Sequence, residues 1–402
     1  MNKWIALTGL YVAQGLPHGF FGQAMPVLLR EQGLDLRLIG LLSLVAIPWA
    51  LKFLWAPWLD RYSLVGHEYR RSWILLMNAA AVVVLLVLSV MDISDWLALG
   101  IVWPLMLLVL LNLFIATQDI ATDAMAVENL NAEERGKGNG LQVAAYRVGM
   151  IVSGGVLVSL FGSLGWSYSL WLLAGLLLLG SLPLWWFAPK PHTRGEGSMA
   201  HEWLDFFRQK DALLWLVLLS VYKFGDAFGT PMIRPMMSDA GVTLEQMGWL
   251  LGTVGFAAGL LGALAGGWLV GVLGRQFTLM AFLLLEAFAL LAYIGVGAST
   301  TFDWVHLVSA VLVEHVAGGM GTAALFTVMM DRCREHCAAA DYALQSCVVI
   351  VTGMIAGGLS GISAHALGYD GHFLLSAVLC VLVMPLIWNM IRRGDLPARG
   401  QA

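Results

Sequence analysis

The sequence predicts an all-α membrane protein, twelve transmembrane helices in two six-helix pseudo-symmetric halves, and three observations carry that expectation. The first is composition: of 402 residues 59% are hydrophobic and 12% charged, with a mean hydropathy of +0.79. A soluble domain carries roughly 25% charged residues, so this chain cannot coat a water-facing surface of its size. The second is the length of the apolar runs, since a helix crossing about 30 Å of hydrocarbon needs roughly 20 mostly apolar residues. The third is that short patterns of the first half return in the second. Together these exclude a soluble enzyme, a disordered chain and a nucleic-acid binder. The net charge of -4 names no partner, and four Cys in a chain this long imply no disulfide framework.

The segments fall at 4–29, 38–58, 72–91, 97–127, 139–162, 167–187, 212–236, 246–272, 278–298, 303–330, 342–367 and 370–391; they are spans one to twelve below. They are expected to be helices, because lipid offers no partner to an open backbone. A β-barrel would alternate apolar and polar residues, and the run from Ala79 to Leu86 does not. No cleavable signal peptide is apparent, so span one is expected to serve as its own insertion signal. Residues 188–211 are the longest polar stretch and hold two Pro, two Gly and four basic residues. They divide the chain into an N-terminal half (1–187), a cytoplasmic linker, a C-terminal half (212–391) and a cytoplasmic tail (392–402). Within the linker, Trp203 to Arg208 reads as a short helix lying on the membrane surface.

Orientation follows from where Lys and Arg fall. With the N-terminus inside, the inner ends carry Lys3, Arg61, Arg70, Arg71, Arg135, Lys137, Lys190, Arg194, Arg208, Lys210, Arg275, Arg332, Arg334, Arg392, Arg393 and Arg399. The outer ends carry only Arg30 and Arg37. Sixteen against two places both termini in the cytoplasm.

The internal repeat holds a nearly constant offset. Ile39-Gly40 answers to Met247-Gly248 at 208, and Pro57-Trp58-Leu59 to Gly267-Trp268-Leu269 at 210. Leu141-Gln142 answers to Leu344-Gln345 at 203, and Gly149-Met150-Ile151 to Gly353-Met354-Ile355 at 204. Leu59-Asp60-Arg61-Tyr62 with Arg70-Arg71-Ser72, and the run from Gly266 to Arg275, occupy matching inner loops. This layout and these loops resemble the major facilitator transporters. The resemblance implies a substrate site near the midplane, alternating access, and a cytoplasmic gate built from Asp60, Arg61, Arg70, Arg71 and Arg275. Ordinary positive-inside topology would explain Arg70 and Arg71, though not Asp60 beside them.

A narrower resemblance covers most of the chain. The stretches Leu51 to Tyr62, Ala116 to Ala124 (ATQDIATDA), Glu133-Glu134-Arg135-Gly136, Tyr146 to Met150, Ser153-Gly154-Gly155 and Tyr222 to Phe228 (YKFGDAF) are similar to the AmpG muropeptide permease and acetyl-CoA transporter group. The opening Tyr11 to Phe21 and the twelve-span length look most like its branch of siderophore permeases for pyochelin and rhizobactin. That implies import of a siderophore, as the ferric complex, across the bacterial inner membrane, with muropeptides and then acyl-CoA-type molecules as the alternative cargoes.

Charges inside the membrane point to the site. An Asp, Lys or Arg at the bilayer centre costs about 2.5–3.5 kcal/mol on insertion scales, so such residues pair and line pathways. Asp119 and Asp123 lie four apart, on one face of span four. Arg147 of span five is close to them in the implied fold, as a static ion pair or as part of a proton switch. Desolvation favours a protonated carboxyl and a neighbouring guanidinium the ionised form. Lys223 and Asp226, three apart, either neutralise each other or offer a cation to an anionic substrate. Glu314 and His315 are adjacent and expected to face different ways, leaving Glu314 a candidate for coupling. His18 follows Pro17, where span one is expected to bend, and either faces the cavity or is a satisfied polar residue. Gln14, Gln118 and Tyr146, inside the resembling motifs, complete the candidate substrate contacts. Lys52 reads as structural, and Glu286 has no evident partner.

Other chemistries are poorly supplied. Cys333, His336 and Cys337 lack the fourth ligand and second spaced pair of a zinc site. Asp119-x-x-x-Asp123 with Glu128, Glu133 and Glu134 faintly resembles the diphosphate site of intramembrane prenyltransferases, but Asp331 and Asp341 are a poor second cluster. The chain is therefore expected not to be an enzyme, to need no cofactor beyond a proton gradient, and to work as a monomer on a small-molecule substrate.

Overall fold

The computed structural model describes residues 3–25, 29, 41–65, 68–91, 102–187, 189–190, 205–296 and 303–396. Arg30, Arg37, Ile39-Gly40 and residues 191–204 of the expected linker lie outside them. Among the described residues there is no strand, and each of the twelve segments is helical over most of its described part. Seven helical stretches are long and apolar enough to cross a membrane, and two of these, Arg135–Trp185 and Glu335–Arg392, are each long enough for two crossings. Each double stretch turns at a glycine, Gly165 (φ 72°, ψ −177°) and Gly368 (φ 69°, ψ 173°). That backbone region is closed to side chains, so only Gly joins the two spans without a longer loop. The turns stand between spans five and six and between spans eleven and twelve, 203 positions apart (165 and 368), which carries the sequence repeat into the backbone.

Spans two and seven are interrupted rather than continuous. Span two is a 3-10 turn Leu41–Ala46, a short helix Ile47–Leu51, a 3-10 turn Lys52–Leu54 and a helix Ala56–Arg61. Pro48 and Pro57 start the two helical pieces, where a missing N–H costs nothing. Span seven stops at Tyr222 and restarts at Phe224, with Lys223 at the break (φ −95°, ψ 3°). Buried Lys52 and half-buried Lys223 thus both sit where a helix is broken. Wider π-turns occupy Phe20–Ala24, Ile151–Leu157 and Gly248–Gly255.

By contact the chain forms two compact units. The first takes residues 1–129, 145–202 and 333–347, so a segment of the second sequence half belongs to it. Its core is apolar: Leu16, Phe20, Leu85, Leu111, Leu170 and Leu173 are all buried. Spans one and five approach through glycines: a Cβ on Gly15 would lie 2.1 Å from the Tyr146 carbonyl oxygen, and one on Gly149 2.2 Å from that of Val12. The second unit takes 130–144, 203–332 and 348–402. There spans eight and ten touch through Gly262 against Val316 and Gly319 against Gly259. Small residues allow such backbone proximity in a membrane, where helices gain little from apolar burial. The outer faces are apolar: Leu261, Ile362 and Leu382 are 63%, 69% and 65% exposed, as lipid-facing side chains should be.

Candidate functional site

Each unit buries its own cluster of charges. In the first, the 3-10 turn of span two aims Lys52 at Asp119 of span four, and both side chains are buried. Asp123, one turn on, accepts a 3.1 Å hydrogen bond from the Tyr11 hydroxyl of span one. The two carboxylates therefore share a helix face, as their spacing predicts, but serve different partners. The partner found for Asp119 is Lys52, expected to be merely structural, while Arg147 is half-buried on span five. Around them Gln118 Nε2 donates to Thr122 Oγ1 at 2.8 Å, and Trp55 Nε1 to Thr117 Oγ1 at 3.0 Å. The Lys52 ammonium also lies 5.5 Å from the Trp49 ring centre, a cation–π distance. Gln14 Nε2 and Gln118 Oε1 are buried with no hydrogen-bond partner among the described residues. His18 is exposed and packs 5.8 Å from the Tyr146 ring. Four of the expected substrate contacts, His18, Gln14, Gln118 and Tyr146, thus belong to this unit.

The second unit gathers Lys223, Asp226, Glu286 and Glu314. Lys223 Nζ lies 2.8 Å from Asp226 Oδ2, the local pair that the spacing predicts, and 2.6 Å from Glu286 Oε1 of span nine. Glu286, which has no evident partner in the sequence, is 1% exposed and held by a lysine 63 residues away. Glu314 and His315 do not diverge as expected: the ring Nδ1 comes within 2.5 Å of Glu314 Oε2. The π-turn opposite allows this, because Gly255 leaves the space that the ring fills; a Cβ there would lie 2.5 Å from Nε2.

A third group lies at the predicted inner ends. Asp60 accepts from Arg70 Nη2 at 2.6 Å and from the backbone N–H groups of Ala339 and Ala340 at 3.1 and 2.9 Å. It therefore caps the helix that opens span eleven, all within the first unit. Arg70 also donates to the Leu59 carbonyl at 2.8 Å and to Glu128 at 2.5 Å. In the second unit Asp331 lies 2.9 Å from both Arg275 and Arg135. Glu128 with Arg70 and Asp331 with Arg275 occupy repeat-related positions, 203 (128 and 331) and 205 (70 and 275) apart. Arg71 stands apart from Asp60, reaching Glu68 and Trp185 instead, and Arg61 is half-buried at the end of its helix. Sequence reading missed Lys52, Glu286, Glu128, Tyr11 and Asp331 as participants. For Glu128 and Asp331 the repeat was the available signal; the others are decided by packing alone.

The chain belongs to the Major Facilitator Superfamily, in its AmpG-like group: the superfamily model matches residues 7–339 and 221–401. It is 33% identical to an anhydromuropeptide permease of Escherichia coli K12 over 391 residues, 92% of this chain and 76% of that one. It is 23% identical to a transporter named AmpG 4 of Rickettsia conorii, over 92% of each chain. In fold it is similar to a bacterial homologue of the iron transporter ferroportin, with a TM-score of 0.75, 15% identity, and coverage of 97% of this chain and 99% of the other. The chain is a multi-pass membrane transporter of a small molecule.

Proposed function

We propose that the chain is a proton-coupled importer of anhydromuropeptides, moving them from periplasm to cytoplasm across the bacterial inner membrane, with both termini cytoplasmic. The observation that carries this reading is the 33% identity to an anhydromuropeptide permease across 92% of the chain. The siderophore cargo draws no support from the relatives, and the muropeptide alternative replaces it. The chemistry suits such a cargo. An anhydromuropeptide joins a sugar, offering hydroxyls, to a peptide with carboxylates. The first unit supplies buried amides with unmet hydrogen bonds at Gln14 and Gln118, together with the Tyr146 and His18 rings. The second supplies Lys223, 14% exposed, as the cation for a carboxylate. Asp119, Asp123, Arg147, Asp226 and Glu314 are the candidates for charge coupling. Asp60 with Arg70, and Asp331 with Arg275 and Arg135, are the candidate gate groups in this reading, each set standing at inner helix ends within its own unit.

Uptake into right-side-out membrane vesicles tests the cargo. Labelled anhydromuropeptide should accumulate chemically unchanged when the outside is acidified, and a ferric siderophore should not compete. Accumulation of the siderophore with no muropeptide uptake would reverse the assignment.

A further inference from the structure

The charges of the second cluster do not balance. Three carboxylates, Asp226, Glu286 and Glu314, face one lysine and one histidine, Lys223 and His315. Even with His315 protonated, one negative charge is in excess. Water is largely excluded: Glu286 and Glu314 are 1% and 8% exposed. Two polar atoms here, Glu286 Oε2 and the hydroxyl of fully buried Tyr293, have no hydrogen-bond partner among the described residues. An ionised carboxylate with a bare oxygen in such a place is costly, and a proton removes the cost. Glu286 is also confined: a Cβ on Gly321 of span ten would sit 2.1 Å from its Oε1, so the carboxyl occupies space that only glycine leaves. The other titratable groups facing it are Asp226 and Tyr222 of span seven, Cys380 of span twelve and Glu314 of span ten. Apart from Lys223, none of them supplies a counter-charge.

We propose that Glu286 carries the coupled proton, and that Lys223, shared between Glu286 and Asp226, is the group a substrate carboxylate binds. The exchange balances. An entering carboxylate takes an N–H bond of Lys223, the Lys223–Glu286 ion pair breaks, and Glu286 accepts one proton on the oxygen released. One anion and one proton arrive together, so the buried net charge is unchanged; release on the other side reverses both steps. Neither enters this site cheaply without the other, which is what coupling requires. The geometry favours this order, because Lys223 is 14% exposed while Glu286 lies behind it at 1%. The inference rests on the transporter reading for its substrate and deepens it by naming the coupling pair.

Two measurements on the purified full-length protein test it. Infrared difference spectra on acidification need no substrate: the protonated-carboxyl band should vanish in Glu286→Gln and persist in Asp119→Asn. In proteoliposomes Glu286→Gln should lose accumulation driven by a pH gradient yet retain exchange of labelled anhydromuropeptide. Lys223→Gln should weaken binding about tenfold to a hundredfold, the loss of a charged hydrogen bond. Should the Gln variant fold poorly, Glu286→Asp keeps the titrating group, and the pH midpoint of uptake should move while coupling survives. An unchanged infrared band in Glu286→Gln, or pH-driven accumulation at the wild-type level, overturns the proposal. If the wild type binds no anhydromuropeptide, the cargo assignment falls, while the infrared band still decides the role of Glu286.

Discussion

A lysine ammonium buried against an aspartate is held by its surroundings as much as by its partner. Removing one side of such a pair strands the other in a medium that cannot solvate it, at about 3–5 kcal/mol. Asp119→Asn should therefore lower the thermal midpoint and folded yield, because Lys52 is left on a neutral amide. Combining it with Lys52→Met should restore most of the yield, since Met fills a similar volume without charge. Size-exclusion profiles of the wild type and the two variants read this directly. If the double variant folds no better than Asp119→Asn, Lys52 has a second counter-charge. At this scale the local pairings were legible and the distant ones were not. Lys223 with Asp226 follows from three-residue spacing. Lys52 with Asp119, and Lys223 with Glu286, join residues 67 and 63 apart, which no helical period relates. The adjacency of Glu314 and His315 misled for a related reason: helical geometry separates the two Cβ directions, but a glutamate is long enough to bend back to the neighbouring ring.

Among the elements, glycine decides which helices touch and where a span ends. Gly149→Ala places a methyl 2.2 Å from the Val12 carbonyl oxygen, so spans one and five must separate. We expect a loss of about 1–3 kcal/mol, the usual cost of overpacking. Gly175 lies in the helix of span six with nothing within 4 Å of its would-be Cβ. Gly175→Ala should be neutral or stabilising by up to about 1 kcal/mol, the helix propensity difference. Gly165→Ala should cost about 1–3 kcal/mol despite open space around it, because its backbone conformation is essentially glycine-only. Thermal unfolding in one detergent ranks the three, and the same ranking should hold for yield. The span boundaries were largely legible, since the expected gaps at 162–167 and 367–370 enclose Gly165 and Gly368. The interruptions in spans two and seven were less so. Pro48 and Pro57 signal a break in span two, but nothing in Tyr222-Lys223-Phe224 announces the one that presents Lys223.

On the scale of the whole molecule, the sequence repeat accounts for the paired Gly165 and Gly368 turns and for the paired Glu128–Arg70 and Asp331–Arg275 contacts. Both buried clusters hold more carboxylates than lysines, Asp119 and Asp123 beside Lys52 in the first unit and Asp226, Glu286 and Glu314 beside Lys223 in the second; they differ in that Glu286 Oε2 of the second has no hydrogen-bond partner among the described residues. Coupling is accordingly argued for the second unit, and the sugar-facing amides for the first. Topology is a prediction at this scale too. Tags placed within 190–200 and at the C-terminus should both report cytoplasm, as sixteen inner charges against two require; a periplasmic signal from either would invert the proposed gate. The central claim is that a muropeptide and a proton enter together. Proteoliposomes loaded with a pH-sensitive dye, with no pH gradient imposed, test it most directly. Adding anhydromuropeptide outside should acidify the lumen in the wild type and leave it unchanged in Glu286→Gln. Muropeptide entry with no lumenal acidification in the wild type would contradict the account.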